Sequence, residues 1–81
     1  MTLGERIKLW REKKGWGQRE LARQARVDVS WISRLESGER NNISLDAAAR
    51  IARALGVSVD YLAGMYDDPE HVPTGAVLVG A

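Results

Sequence analysis

Val29, Ser30, Ser33 and Arg34 share one side of a short helical repeat whose other side carries Ile32 and Leu35. Free of the core, such a set has the chemistry of a base reader. Val29 suits a thymine methyl, and the two serines can each donate or accept. Arg34 matches guanine O6 and N7 with two parallel bonds, a contact worth about 1–3 kcal/mol of discrimination. An ion pair or a phosphate contact is its plainer alternative. Trp31 either lies against a sugar or thymine methyl at a groove edge or wedges against the preceding helix.

Residues of phosphate-gripping type stand around that group. Gln18 opens a helix, where free amides and the positive end of the helix dipole favour an anion; a solvated surface amide is the alternative. Arg19 adds a longer-range cation. Ser37, Arg40 and Asn41 come at and beyond the far end of the reading helix, placed to grip a backbone there. Phosphate contacts fix register and supply affinity, whereas base contacts supply sequence choice. The two groups together describe an interface for double-stranded DNA.

The stretch QRELARQARVDVSWISRLESG, residues 18–38, positions these side chains. Leu21, Ala22 and Ala25 recur at helical spacing, and the period resumes at Ile32 and Leu35. Between them, Asp28 is a good N-cap for the reading helix and is counted with the interface. Glu20 stands three residues after Gly17, where a capping-box acid would reach back. Two short helices joined by about 3–4 turn residues make a helix-turn-helix, which can set its second helix in the major groove.

The remaining elements hold that pair. Leu3, Ile7 and Trp10 form an inward stripe over residues 3–14, Leu9 falls off it, and Gly15 ends it. Trp10 and Trp16 read as core filler. Gly38 stops the reading helix, and residues 39–42 form a polar loop. Ser44 caps a fourth helix, Leu45–Leu55, with Leu45, Ala48, Ile51, Ala52 and Leu55 on its buried face. Gly56 ends that helix. Ser58 caps a short fifth helix, with Tyr61 and Leu62 turned inward and Gly64 closing it. No strand pattern precedes residue 64. The expected fold is all-α: a compact five-helix bundle with a short extended C-terminal tail. Residues 1–64 form the DNA-binding domain. Residues 65–81 hold breaker clusters and an apolar run at 76–79, which packs on its own domain or pairs with a second subunit.

Composition narrows the remaining classes. A chain of 81 residues has room for one domain and a small core. Cysteine is absent and His71 is alone, so neither a disulfide nor an ordinary His/Cys metal site is expected, and no cofactor. An enzyme finds no thiol nucleophile, no phosphate-binding glycine loop and no base near Ser30 or Ser33. No apolar run nears the roughly 18 residues of a membrane span. Without a signal-peptide block, a cytoplasmic chain starting at Met1 is expected. All twelve Lys and Arg lie at or before Arg53, against seven carboxylates there, giving +5; the four later acids give −4. A basic front and an acidic back suit a protein that shows one face to a polyanion.

These residues resemble the repressor/Cro-type helix-turn-helix family from about residue 3 to residue 62. The resemblance rests on Gln18 with Glu20-Leu21-Ala22, Val27, Ile32-Ser33 and Leu35-Glu36-Ser37-Gly38. It continues through Ser44-Leu45, Ile51-Ala52, Ala54-Leu55-Gly56-Val57-Ser58 and Tyr61-Leu62. It implies a five-helix domain that binds operator DNA as a homodimer without enzymatic activity, and a brace between Glu36 and Arg11. The stretch 41–45 is also similar to small controller proteins of restriction–modification systems. Three positions depart from the pattern: a glycine is usual at Arg26, a capping Ser or Thr at Gly17, and a basic residue at Glu39. The competing reading is an antitoxin-type interaction module that also binds DNA, with a protein partner held by the tail.

Overall fold

The computed structural model describes residues 1–64; the apolar run at 76–79 and the expected tail lie outside the described residues. Five helices follow in order: α1 (Leu3–Lys13), α2 (Gln18–Ala25), α3 (Val29–Ser37), α4 (Leu45–Leu55) and α5 (Val59–Leu62). The all-α bundle read from the sequence is the fold observed. None of these helices is long and apolar enough to cross a membrane.

Local chemistry sets the helix ends. Ser44 and Ser58 accept from the amides of Ala47 and Tyr61, both at 3.1 Å. The capping box sits on α1, where Thr2 Oγ1 accepts from the Glu5 amide at 3.1 Å. Glu5 Oε1 accepts in return from the Thr2 amide at 2.7 Å. The box expected at the start of α2 does not form. Gly17 has no side chain to complete it, and Glu20 turns forward to accept from Arg23 and Gln24. A guanidinium one turn ahead is a stronger partner for a carboxylate than a lone amide behind it.

Ile7, Leu21, Ile32, Leu35, Ile51, Leu55 and Leu62 are the fully buried centre. Trp10 and Trp16 pack against it half-buried, and Trp10 Nε1 donates to the Tyr61 hydroxyl at 2.8 Å. Leu9 is half-buried. Leu45 is not on the buried face of α4: it is 77% exposed. It occupies the first position after the Ser44 cap, and Ile43, just before the cap, packs against the core instead. Helical period alone cannot show which residue of a first turn has a neighbour opposite it.

The packing order explains how α3 is held. α2 lies against α3 and α4, and α1 lies against α3. Gly4 makes the second contact possible, because a Cβ there would stand 1.8 Å from the Leu35 carbonyl oxygen. The turn between α2 and α3 passes through Arg26 in the left-handed region, at φ 58° and ψ 47°. A side chain there costs on the order of 1 kcal/mol relative to glycine. Arg50 offsets part of that by donating from Nη1 to the Arg26 carbonyl at 3.2 Å.

Candidate nucleic-acid interface

α3 presents the face that the sequence assigned to base reading. Asp28 caps it, accepting from the Ser30 amide at 2.9 Å. Hydrogen bonds from the Ser30 amide and then its hydroxyl hold the Asp28 carboxyl below its usual range, with Arg34 contributing charge. Ile32 and Leu35 are buried beneath, while Val29 is 36% and Trp31 37% exposed. Ser30, Ser33 and Arg34 are also exposed. Arg34 pairs with Glu39, Nε to Oε2 at 3.3 Å, with both side chains more than half exposed. An exposed pair of this kind is worth about 0–1 kcal/mol, less than the roughly 1–3 kcal/mol of a bidentate guanine contact. Arg34 is therefore free to exchange one partner for the other.

Trp31 stands on the α4 side of α3. Its ring turns toward α4 and the preceding loop, where with Val27, Leu35, Ile43, Ala47 and Ile51 it borders an apolar concavity of about 300 Å³. The Arg40 guanidinium covers the ring at 3.8 Å from its centroid. Arg40 thus has a stacking partner, yet its Nε is buried without a hydrogen bond among the described residues. Asn41 is exposed in the same loop, and Arg19 is exposed on α2.

Gln18 is not a solvated amide. Its Nε2 donates to Glu36 Oε1 at 3.2 Å, so the side chain is tied to α3. Glu36 also accepts from Arg11, Nε to Oε2 at 2.7 Å and Nη2 to Oε1 at 2.8 Å. Arg11 Nη1 completes the brace on the Trp16 carbonyl at 2.8 Å. These bonds to Glu36 outweigh burial and raise the guanidinium's hold on its proton. Helix α1 is thereby braced against α3, as the resemblance implied, and Gln18 adds α2 to the same carboxylate. Ser37 donates from Oγ to the Arg34 carbonyl at 3.1 Å and accepts from the Glu39 amide at 3.3 Å.

One residue missing from the sequence reading joins this group. Lys8 borders a shallow concavity with Gln18, Ser33 and Ser37 beside the Arg11–Glu36 brace. Its only sequence signal was a charge on the outer side of α1, one turn before Arg11. The structure thus brings Gln18, Ser33 and Ser37 together toward the C-terminal half of α3. It sets Trp31 and Arg40 on the α4 side.

A capped helix with an open polar face, braced by two others, is the architecture of a helix-turn-helix DNA-binding domain. A family model described as a helix-turn-helix domain matches residues 2–63, and the chain belongs to that family. It is similar to the HTH-type transcriptional regulator SinR of Bacillus licheniformis, 35% identical over 69 residues, 85% of this chain and 62% of that one. It is also similar to a hypothetical transcription factor of Neisseria meningitidis, 43% identical over 57 residues, 70% of this chain and 53% of that one. The chain therefore spans less than two thirds of these relatives' length. Among solved structures, SinR in complex with DNA superposes with a TM-score of 0.73 at 36% identity. That match covers 75% of this chain and 97% of the other. The SinR/SinI complex matches with a TM-score of 0.73 at 30% identity, covering 98% of this chain and 75% of the other.

Proposed function

We propose that the chain is a sequence-specific regulator of transcription, a repressor or autoregulating controller, that reads a palindromic operator in double-stranded DNA as a homodimer. The observation that carries this reading is the open outer face of α3, where Val29, Ser30, Ser33 and Arg34 stand exposed above a buried Ile32 and Leu35. Val29 meets a thymine methyl, Arg34 a guanine edge, and the serines complete the reading. Gln18, Arg19, Ser37, Arg40 and Asn41 grip phosphates, and Asp28 holds the first turn of α3 in register. Trp31, backed by Arg40, lies along the groove edge. The names of the relatives support this assignment.

A single domain of this size covers too little DNA for tight selective binding. Two copies reading half-sites about 34 Å apart remove that limit. Residues 1–64 act as the reading domain, with α5 and the tail at 65–81 supplying the dimer contact. A cytoplasmic location goes with a DNA target. The match to the SinR/SinI complex supports a second role with a protein partner, and we place that partner on the tail, as in the antitoxin-type alternative.

Selection of duplexes from a random pool, repeated at two salt concentrations, tests the reading. A palindromic consensus whose affinity falls steeply with salt is expected, by about 0.9 log unit per log unit of salt for each phosphate neutralised. Failure to enrich any sequence at low salt would defeat it.

A further inference from the structure

Arg26, Arg50 and Arg53 border an open cleft of about 770 Å³ between the end of α2 and the second half of α4. Gln24, Ala25 and Ala54 complete its walls, and among the described residues no carboxylate does. Arg50 is partly committed, to the Arg26 carbonyl at 3.2 Å and to Asp46 at 3.1 Å. The side chains of Arg26 and Arg53 make neither an ion pair nor a hydrogen bond among the described residues. The C-termini of α2 and α4 also meet here, and each carries about half a negative charge. Set against three guanidinium groups, those two ends and Asp46 leave the cleft cationic.

Its position says which anion it suits. Arg26 lies in the turn two residues before Asp28, so the cleft opens at the N-terminal end of α3. A helix-turn-helix docks with the N-terminal residues of its second helix on base edges, so the cleft lies beside the end of α3 that approaches the duplex. The phosphate-type residues Gln18, Lys8 and Ser37 cluster toward the C-terminal half. Among the described residues, the cleft stands beside the turn that leads into α3, and Arg40 on Trp31 stands on the α4 side of the same end.

We infer that the Arg26, Arg50 and Arg53 cleft holds the phosphodiester backbone at the N-terminal end of α3, outside the base pairs that the helix reads. This rests on the DNA-binding reading above and adds a second, sequence-independent grip to it. Arg50 positions the turn, while Arg26 and Arg53 take the phosphates.

The test uses the double variant R26Q/R53Q, which keeps Arg50 and the left-handed backbone amide. Binding is measured by fluorescence anisotropy over a salt series, on a duplex recovered by selection from a random pool. One form is trimmed to the selected base pairs and another extended by a helical turn on each side. On the extended duplex the slope of log K against log salt should become shallower by about 2, at about 0.9 per lost phosphate contact. Sequence preference and melting temperature should stay as in the parent, and the trimmed duplex should show little difference between the two proteins. An unchanged slope on the extended duplex overturns the inference, and so does an equal loss on the trimmed one; in both cases the operator reading stands. A parent protein that selects no duplex removes that reading and the cleft's role with it.

Discussion

Replacing Arg11 with methionine should cut the brace that fixes α3 while keeping most of the apolar stem. Arg11 makes two bonds to Glu36 and one to the Trp16 carbonyl, all between 2.7 and 2.8 Å. Its side chain is 11% exposed and that of Glu36 4%, so the variant strands a nearly buried carboxylate. Removing one partner of a buried pair costs about 3–5 kcal/mol. Gln18 still donates to Glu36, and methionine restores stem packing, which places the expected loss near the lower end, about 3 kcal/mol. In a domain of this size each kcal/mol moves the melting midpoint by roughly 4–8 °C, so a fall on the order of 12–24 °C should follow. Thermal melting measures the shift, and urea unfolding followed by tryptophan fluorescence measures the free-energy loss. The double variant R11M/E36M removes the stranded charge as well and should recover most of the loss, because an apolar pair can replace a buried ion pair at little cost. A single-variant loss below about 1 kcal/mol, or a double variant no more stable than the single, would refute the reasoning.

Three further outcomes follow from the same geometry. Gly4→Ala gains about 1 kcal/mol of helix propensity but drives a methyl against the Leu35 carbonyl. Overpacking of this kind costs about 1–3 kcal/mol, so thermal melting should show a net loss and DNA affinity should fall with the displaced α3. The Asp28 and Glu5 carboxyls are held below their ordinary values by backbone amides, from Ser30 and Thr2 respectively. A carboxyl with a lowered folded-state value contributes fully above its unfolded value and loses that contribution as pH falls through the folded one. Stability should therefore decline below about pH 4, and Asp28→Asn should flatten that decline in acid titrations followed by circular dichroism. Arg34→Ala should relax selection at a single base position by about 1–3 kcal/mol while leaving the rest of the consensus intact, which repeated selection would show.

Much of the fold was legible because its signals are local. The Ser44 and Ser58 caps, the Gly38 and Gly56 stops and the 3.6-residue stripe each act within one turn, and α4 ends where they place it. Leu45 was misread because its burial depends on what stands opposite, which no local pattern encodes. Glu20 was misread because two partners competed for it and the nearer guanidinium prevailed. Within the site, exposure of Val29, Ser33 and Arg34 followed from the burial of Ile32 and Leu35. The pairing of Arg34 with Glu39 and the stacking of Arg40 on Trp31 did not, since both depend on how the 39–42 loop folds back. Lys8 was missed because only the packing of α1 on α3 brings it beside Ser33 and Ser37.

Titrating the isotope-labelled protein with a selected duplex, and following each backbone and side-chain resonance, tests the central claim most directly. The account predicts that Val29, Ser30, Ser33 and Arg34 shift first and furthest, with Gln18 and Arg40 next and the core unmoved. Shifts confined to α1 and α5, with the outer face of α3 silent at saturation, would contradict it.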